Sequence, residues 1–334
     1  MNVVLVGAGK LGSRHLQALS QINAEGLSLY VIDPSPDARS LAEARLQEMP
    51  KNSLITSVTY LESIKKLKEK NIDVAIIATT SKHRMGAMRE LCDQRKIKHL
   101  ILEKFLFQDL RSYQDAERLL QSHKIKAWVN LPRREWAFYR GLKKKLRSHE
   151  IQQVDVVGAH WSLATSAIHF IDLISFLVDE VEYKITLLDF SNSYVPSYSV
   201  VTGPRDSEYI EFYGSLHGRF SENLSFNFSC SRMDTPFSIR VTTDKGSVTI
   251  FEELGQCVFY SSDENARVVS SEINLTAPYQ SELTDKVVMD ILDTGNCRLT
   301  SYNEAAALHT PLLAAYLEYL NRIDPKFEEV CPIT

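Results

Sequence analysis

The sequence lacks the features that mark several large classes of protein. Its five cysteines are widely spaced and form no CxxC pair, so they signal neither a disulfide framework nor a zinc site. Glycine (13) and proline (11) are too few for a long flexible linker. No uncharged apolar run reaches about 18 residues, which is the length that a membrane-spanning helix needs.

A strong excess of charge of one sign is also missing. The 38 Lys and Arg residues face 42 Asp and Glu residues, which gives a formal net charge of −4 with both signs interspersed. This balance supplies no basic footprint for nucleic acid and no polybasic anchor for a membrane. The opening MNVVLVGAG shows no signal-peptide pattern. We therefore expect a cytoplasmic protein whose cysteines are mostly reduced and buried.

The first part of the chain alternates short β-branched runs with amphipathic stretches. This pattern is typical of a parallel sheet with crossover helices, and a chain of 334 residues usually divides into two domains. We predict an α/β fold whose N-terminal domain, residues 1–128, is a doubly wound Rossmann domain. The predicted strands are 3–6, 29–32, 74–78, 99–102 and 127–129, and the predicted helices include 61–70 and 85–95.

Residues 129–334 are predicted to form a second, α+β domain. From about residue 180 apolar and polar residues alternate with a period of two, as in 224–231, which indicates a half-buried antiparallel sheet. Asp244-Lys245-Gly246 predicts a turn, so 237–251 is expected to be a hairpin. A closing helix should begin at Ser301 and pack back on the N-terminal domain. Within it, Pro311 predicts a kink or a fresh helix start.

A glycine-rich motif, Gly7-Ala8-Gly9-Lys10-Leu11-Gly12, directly follows the first predicted strand and opens a helix. Gly7 permits a tight turn, Gly9 lets backbone N–H groups approach a pyrophosphate, and Gly12 allows close helix packing. Taken alone, the motif is also compatible with a plain tight turn. In its strand and helix context we predict that Gly7, Gly9, Lys10, Leu11 and Gly12 bind a dinucleotide cofactor.

Asp33 strengthens that prediction and indicates the cofactor. It lies 21 residues beyond Gly12, at the end of the second predicted strand, where its carboxylate can accept a hydrogen bond from a ribose 2′-hydroxyl. The same carboxylate would repel a 2′-phosphate. Because Pro34 and Ser35 follow, with no arginine at once, we predict NAD rather than NADP.

Lys104 follows the strand 99–102 as part of Glu103-Lys104-Phe105. Ligands of doubly wound sheets bind beyond the carboxyl ends of the strands, so Lys104 is expected to face the cofactor cleft. A lysine there can exchange a proton with a hydroxyl or carbonyl group. Taken alone, a lysine after a strand is more often a solvated surface charge.

Further motifs occur in an order that resembles one enzyme family. They are Arg14-His15 after the glycine motif, Asp33, Ala78-Thr79-Thr80 with Lys82-His83, Glu103-Lys104, Asn130 with Arg133-Arg134, and the run AIHFID at 167–172. Over nearly its whole length the chain is thus similar to the Gfo/Idh/MocA oxidoreductases, the family of glucose-fructose oxidoreductase and inositol dehydrogenase.

The resemblance implies roles for individual residues. Lys104 corresponds to the lysine that binds the substrate hydroxyl near the nicotinamide and takes part in proton transfer, and His169 corresponds to its usual acid/base partner. The family pattern also predicts supporting or substrate-binding residues and further cofactor-binding residues. The former are Thr165, Asp172, Asn130 and Arg133, and the latter are Ala78, Thr79, His83 and Glu103.

The resemblance also implies substrate and assembly. Members of this family act on sugars, sugar nucleotides, inositols and similar polyols, so a small sugar-like substrate is expected. Residues 279–281 and 290–295 are similar to those of members in surface-polysaccharide and sugar-nucleotide pathways. A homodimer or homotetramer formed through the open sheet of the C-terminal domain is expected as well.

The sequence departs from the family pattern in three places. Phe105 stands where the family has proline, which removes a restraint on the backbone of Lys104. Thr165 and Ala167 replace the aspartate and glycine that precede the family's histidine, and a hydroxyl cannot act as a carboxylate base. The loop 158–164 is shorter than the substrate-lining loop of relatives, so the pocket is either more open or completed by a neighbouring subunit.

Several residues near these motifs have more than one interpretation. His169 and Asp172 share a helix face, so Asp172 either orients the imidazole or joins it as a metal ligand, and we predict no metal because a third ligand is lacking. Arg133 and Arg134 suit a phosphate, a sugar-acid carboxylate or a salt bridge. Trp136 either lines the sugar pocket or packs between domains, as does Tyr139.

Two functions follow from this pattern. The first is an NAD-dependent oxidoreductase that moves a hydride between nicotinamide and a secondary alcohol or ketone of a sugar, sugar nucleotide or polyol. The second is a dinucleotide-binding sensor without turnover, a role known for a galactose-pathway repressor of the same family. The departures at Thr165 and Phe105 motivate this alternative.

Overall fold

The computed structural model of the chain describes residues 1–190, 209–261, 268–269 and 275–334. Two compact units make up the molecule. One comprises Met1–Pro132 with Pro278–Ala305, and the other comprises Arg133–Ala277 with Ala306–Thr334. The predicted boundary between residues 128 and 129 stays a prediction. All five cysteines are free and four of them are buried, as expected.

Strands and helices alternate along the first part of the chain. In order they are β1 (Asn2–Val6), α1 (Lys10–Leu19), β2 (Leu27–Ile32), α2 (Pro36–Gln47), β3 (Ile55–Leu61), β4 (Asn71–Ile77), α3 (Ser81–Gln94), β5 (Lys96–Leu102), α4 (Leu110–His123) and β6 (Lys126–Val129). The remaining elements are α5 (Ala137–Leu146), β7 (Ile151–Ala159), α6 (Leu163–Val178), β8 (Lys184–Asp189), β9 (Gly214–Arg219), β10 (Ser225–Ser231), β11 (Ser238–Thr243), β12 (Gly246–Phe251), β13 (Gln256–Ser261), β14 (Val268–Val269), α7 (Thr284–Thr294), β15 (Thr300–Ser301) and α8 (Tyr302–Ile323).

The sheet of the first unit is doubly wound, which confirms the predicted fold class. Its seven strands lie in the order β15-β6-β5-β4-β1-β2-β3, and every neighbouring pair is parallel except β15 with β6. The strand order reverses at β1, which lies between β2 and β4. In such sheets this switch point is where the carboxyl ends of the strands open a ligand crevice.

One strand and one helix of this unit were predicted wrongly. β3 was not among the predicted strands, and residues 61–70, predicted to be a helix, contain the end of β3 and a short 3₁₀ turn, Ile64–Lys66. Leu61 pairs with Ile32 of β2, so its backbone belongs to the edge strand of the sheet. Tertiary pairing therefore overrides the helical pattern of this lysine-rich stretch.

The core of the first unit includes residues from a late part of the chain. Val288 and Ile291 of α7 are fully buried and belong to the same apolar cluster as β1, β2, β4 and α1. Full burial of each such side chain contributes about 1.5–3 kcal/mol. The segment 278–305 is thus anchored in the Rossmann unit by its own apolar face.

The second unit contains a mixed sheet, as predicted. In the described part of this unit, eight strands lie in the order β14-β13-β12-β11-β7-β10-β9-β8, and only the β7–β10 pair among them is parallel. Phe226, Phe228 and Cys230 are buried on alternate positions of β10, which confirms the period-two pattern. The β11–β12 hairpin is also confirmed, with Gly246 at φ +137° in its turn.

The two longest helices are α6 and α8, and different sequence features specify them: apolar composition in α6 and the residues at its start in α8. In α6, 12 of 16 residues are buried, so it is a core helix. In α8, Glu304 N donates to Ser301 Oγ at 3.4 Å, which agrees with the predicted start. Pro311 lies inside α8 without interrupting it, since a proline removes only one backbone donor. Across the described residues, no helix is long and apolar enough to span a membrane.

Candidate functional site

The glycine motif forms a turn that only small residues fit. Gly7 has φ +95°, and a Cβ there would lie 2.8 Å from the main chain of Ala78. A Cβ on Gly12 would lie 1.9 Å from the oxygen of Gly7. By contrast, a Cβ on Gly9 would meet nothing within 4 Å. Gly7 and Gly12 are therefore needed for packing, while the backbone at Gly9 borders open space.

The N-terminus of α1 is left available to an anion. Gly9 is the N-cap and makes no side-chain capping bond, and the first turn contains no acidic residue. The first amides of a helix have no partner within it, so those of Lys10 and Leu11 are unused by α1. Leu11 is 40% exposed. This arrangement of donors and helix dipole suits a pyrophosphate.

Asp33 is held at the end of β2, next to the glycine motif. Its Oδ2 accepts from Ala8 N at 2.7 Å and its Oδ1 accepts from Ser35 N at 2.8 Å. Arg39 Nη1 donates to the main-chain oxygen of Asp33 at 2.5 Å and to that of Pro34 at 3.1 Å. The prediction of NAD rested on the two residues after Asp33, and Arg39 lies beyond them, one turn into α2.

The loop after β4 brings two hydroxyl groups to the same end of the sheet. Ala78 N donates to Val6 O at 2.7 Å, which places Thr79 and Thr80 beside the glycine turn. Among the described residues, the Oγ1 atoms of Thr79 and Thr80 are buried without a hydrogen-bond partner. His83 is exposed in the first turn of α3. Buried unpaired hydroxyls are costly, and a polar ligand would satisfy them.

Lys104 lies at the carboxyl end of β5 between two well-fixed neighbours. Its side chain is half-buried, Glu103 is 3% exposed and Phe105 is fully buried. The peptide bond between Lys104 and Phe105 is cis. In place of the proline that the family pattern has here, a buried aromatic ring anchors the chain after Lys104.

The Glu103 side chain is the centre of a buried polar network. His15 Nε2 lies 2.8 Å from Glu103 Oε1, and Asn130 Nδ2 donates to the same oxygen at 2.5 Å. Since a carboxylate only accepts, Nε2 of His15 carries the hydrogen. His15 Nδ1 lies 2.8 Å from Thr284 Oγ1, and Gln280 donates to that hydroxyl at 2.7 Å.

This network connects α1 to the loop that carries Lys104. His15 lies on α1, and Asn130 follows β6 and also donates to Gln280 Oε1 at 2.8 Å. Burial opposes ionisation of Glu103, but the hydrogen bond and charge of His15, the amide of Asn130 and the charge of Arg84 hold the pKa of Glu103 below its ordinary value. The carboxylate is therefore a fixed negative charge next to Lys104.

Arg84 holds the chain on the other side of Lys104. Arg84 is 1% exposed, and its guanidinium donates to the main-chain oxygens of Thr79, Phe105 and Leu106, the last at 2.8 Å. A buried arginine that binds three carbonyls fixes the loops after β4 and β5 to each other. Arg84 was not predicted, and Gln280 was noted only as part of the stretch 279–281, without a role in this network. Each is recognised only when distant elements are brought together.

In the second unit, α6 carries three of the predicted residues, Thr165, His169 and Asp172. His169 is half-buried, whereas Asp172 is fully buried. The carboxylate of Asp172 is engaged by Arg134, with Nη2 2.8 Å from Oδ1 and Nε donating to Oδ2 at 3.0 Å. The partner of Asp172 thus lies 38 residues earlier in the chain, and the salt bridge is one of the three interpretations considered for Arg134.

Arg133 forms a second, partly buried ion pair in this unit. Its Nε and Nη2 donate to Glu252 at 2.8 and 2.7 Å, and Tyr139 Oη donates to the same carboxylate. Burial disfavours the charge of Arg133, but Glu252 and Tyr139 outweigh it and raise the pKa of Arg133. The guanidinium also lies over the rings of Trp136 and Phe170. Arg133 was predicted to bind a phosphate, a sugar-acid carboxylate or a salt-bridge partner, and the geometry is that of a salt bridge.

The loop that leads into α6 is braced by the sheet. His160 N donates to Ser231 O at 3.1 Å, and Trp161 Nε1 donates to Ser229 O at 2.8 Å. At the first residue of α6, Tyr316 Oη donates to Leu163 O at 2.9 Å. The positions of Thr165 and His169 are thereby fixed within the second unit. Lys104 belongs to the first unit.

The residues at the switch point fit a dinucleotide. An open helix N-terminus borders Gly9, a carboxylate is fixed at Asp33, and the hydroxyls of Thr79 and Thr80 are buried and unpaired among the described residues. No group of three His, Cys, Asp or Glu side chains in the described part of the chain is arranged to hold a metal ion.

Fold and site together are those of a Rossmann protein whose switch-point residues fit a dinucleotide. Residues 1–131 match the GFO_IDH_MocA family model, an oxidoreductase family with an NAD-binding Rossmann fold. Over residues 1–131, this match confirms the resemblance predicted from the sequence. Among curated proteins, no sequence matches this chain.

Solved structures share the fold over nearly the whole chain. A putative NADPH-dependent oxidoreductase from Desulfitobacterium hafniense is 14% identical, with a TM-score of 0.71 over 96% of each chain. A levoglucosan dehydrogenase in complex with NADH and levoglucosan is 16% identical, with a TM-score of 0.67 over 96% of this chain and 97% of that chain. The transcriptional regulator Gal80p from Kluyveromyces lactis is 15% identical, with a TM-score of 0.67 over 94% and 88%. At these identities the likeness shows the fold alone.

Proposed function

We propose that this protein is an NAD-dependent oxidoreductase that transfers a hydride between nicotinamide and a secondary alcohol or ketone of a sugar, sugar nucleotide or polyol. One observation carries the proposal. The open anion site at Gly9 and the firmly held Lys104 loop lie at the same, carboxyl edge of one sheet. This arrangement supports the proposal of a cofactor site with a proton-transfer group beside it.

The cofactor would be held by the residues around the switch point. The amides of Lys10 and Leu11 at the start of α1 bind the pyrophosphate, and Asp33 accepts from the ribose. Ala78, Thr79, His83 and Glu103 complete the site. Bound NAD supplies the hydride acceptor or donor, so the protein needs only to orient the substrate and move a proton.

The proton is handled by this chain's own side chains. Lys104 donates a hydrogen bond to the reacting oxygen and polarises it, and His169 takes up or returns the proton. Thr165 positions the substrate. Asn130 supports the site by holding Glu103 next to Lys104, and Arg133 supports it through its salt bridge with Glu252. Asp172 supports His169 from the next turn of α6, and Arg134 keeps that carboxylate in place.

The substrate class has support from two directions. Residues 279–281 are similar to those of family members in surface-polysaccharide and sugar-nucleotide metabolism, and Gln280 lies in the network around Glu103. A structure with the same fold is a levoglucosan dehydrogenase bound to its sugar. We propose a small-molecule sugar-like substrate, a cytoplasmic location, and a homodimer or homotetramer formed through the open sheet of the second unit.

The test is a turnover screen with a control that removes the proton-transfer group. Purified protein is mixed with NAD or NADP and with D-glucose, myo-inositol or UDP-N-acetylglucosamine, and reduction of the cofactor is followed by absorbance. We expect turnover with NAD. The variant Lys104→Ala should lower turnover by about 10²- to 10⁴-fold while its affinity for NAD stays near normal. Equal turnover by both proteins would contradict the proposed mechanism.

A second candidate function is a dinucleotide-binding regulator without turnover. It is favoured by Thr165, which stands in place of a carboxylate, and by the fold shared with the regulator Gal80p. The same screen separates the two functions, because a regulator would bind NAD and sugar with no reduction of the cofactor.

A further inference from the structure

Glu211 is a buried carboxylate that no motif in the sequence singles out. It lies just before β9 and is 4% exposed. Its Oε1 accepts from the N–H groups of Ala164 at 2.7 Å and Phe212 at 2.9 Å, and its Oε2 accepts from Thr165 Oγ1 at 3.4 Å. Three donors converge on this side chain, which suits an ionised carboxylate because that group only accepts.

These contacts place Glu211 at the start of α6. Ala164 and Thr165 belong to the first turn of that helix, whose N-cap, Ser162, has φ +70° and makes no side-chain capping bond. A negative charge stabilises a helix N-terminus and satisfies its open N–H groups. Glu211 therefore supplies, from 47 residues away, the cap that the sequence of α6 lacks.

The same contacts control the hydroxyl of Thr165. A threonine hydroxyl has one hydrogen, and Glu211 Oε2 lies 3.4 Å from Thr165 Oγ1, within reach of that hydrogen. When the hydrogen points to Glu211, the oxygen of Thr165 meets a ligand as an acceptor. His169 lies four residues further on, so it shares a helix face with Thr165 and moves with the same turn.

We propose that Glu211 is a positioning residue that orients the Thr165 hydroxyl to accept a hydrogen bond from a substrate hydroxyl and fixes the turn of α6 that leads to His169. This inference rests on the proposed oxidoreductase function. It adds the chemical nature of the substrate group that contacts Thr165. The group that meets Thr165 is a neutral donor. A substrate carboxylate there would be repelled by the charge of Glu211.

The first test needs no substrate. Hydrogen exchange of the Ala164 amide and the NMR signal of the Thr165 γ-methyl group are measured in wild type, in Glu211→Gln and in Glu211→Ala. The control Glu222→Gln changes an exposed carboxylate of the same unit. We expect exchange at Ala164 to be at least about tenfold faster in Glu211→Ala, with a shifted Thr165 methyl signal, and both unchanged in the control. Unchanged values in Glu211→Ala would overturn the proposal.

The second test separates positioning from simple capping. The amide of Glu211→Gln can donate to Thr165 and reverse the direction of its hydroxyl, whereas Thr165→Val removes the hydroxyl at nearly constant shape. For the sugar of the panel that wild type oxidises fastest, each variant should raise KM about tenfold with a smaller change in kcat. The double variant should be no worse than Thr165→Val alone.

The outcomes of the second test are distinct. Independent, multiplying effects on KM in the double variant would show that Glu211 acts apart from Thr165, and the proposal would fail while the oxidoreductase function stands. If wild type oxidises no sugar of the panel, the oxidoreductase function fails, and the exchange and methyl measurements still decide whether Glu211 positions Thr165.

Discussion

Arg84 donates a hydrogen bond to the main-chain oxygen of Leu106 at 2.8 Å, two residues beyond Lys104. The same guanidinium binds the oxygens of Phe105 and Thr79. The loop that presents the proposed proton-transfer group is therefore fixed by a side chain from α3. In this sequence Arg84 provides a restraint on that loop, where the family pattern has a proline after the lysine.

Removing the guanidinium should destabilise the first unit. Arg84→Met leaves three buried carbonyls without this donor, so we expect the free energy of unfolding to fall by about 2–4 kcal/mol. The control Arg89→Met changes an exposed arginine of the same helix and should stay within about 0.5 kcal/mol of wild type. Urea unfolding of the three proteins measures both values, and a stable Arg84→Met protein would show that Arg84 is dispensable.

Gly9 should be needed for binding and not for folding. Its Cβ would meet no atom within 4 Å, so Gly9→Ala is expected to keep wild-type stability while its methyl group occupies the space where a pyrophosphate would lie. The dissociation constant for NADH should rise at least about tenfold, since one or more amide contacts are lost. NADH fluorescence titration and thermal unfolding measure the two effects.

Two further glycine variants serve as controls for that prediction. Gly86→Ala adds a methyl group with no neighbour within 4 Å on α3, so NADH affinity should not change. In Gly12→Ala the methyl group would lie 1.9 Å from the Gly7 oxygen, so this variant should unfold more easily. Wild-type affinity in Gly9→Ala would remove the start of α1 from the proposed cofactor site.

Asp33 should set the preference between NADH and NADPH. Asp33→Ser removes the charge that repels a 2′-phosphate, while Arg39 remains beside the same strand end. We expect the ratio of the NADPH and NADH dissociation constants to fall about tenfold or more, and Arg39→Ala in this background to reverse the gain. Calorimetric titration gives the ratio. The control Asp37→Ser removes an exposed charge nearby, and an equal effect there would exclude a specific role for Asp33.

Because of Glu103, the free energy of unfolding should decrease at acidic pH. Its pKa is held below the ordinary value of 4.5 in the folded protein, so unfolding takes up a proton between the two values. The free energy of unfolding therefore falls as pH drops below about 4.5 through the folded pKa, and this contribution is complete at higher pH. Glu103→Gln should flatten that part of the curve of stability against pH.

The comparison for Glu103 uses an exposed carboxyl group. Glu25→Gln changes a side chain in an exposed turn and should follow the wild-type curve in denaturant unfolding between pH 3 and pH 7. If Glu103→Gln and wild type lose stability in parallel as the pH falls, the network of His15, Glu103 and Asn130 is not the source of the acid dependence.

The parts of the site that were predictable are those whose residues are close in sequence. The glycine motif and its strand and helix context lie within a dozen residues, and Asp33 follows at a spacing set by one helix and one strand. Arg84, Arg134 and Glu211 have no such local signature, because each reaches its partner across 21 to 47 residues of chain. The strand β3 was missed for the same reason, since pairing with β2 and not local pattern determines it.

The most direct test of the central claim is native mass spectrometry of the purified protein, followed by denaturing analysis of the small molecules that it releases. We predict one dinucleotide per chain, either as purified or after NAD is added, and loss of that mass in the Gly9→Ala variant. A sugar or sugar nucleotide released together with NAD would identify the compound to test for turnover. If no dinucleotide is released and neither added NAD nor NADP binds, the proposed oxidoreductase chemistry is wrong, although the Rossmann fold would stand.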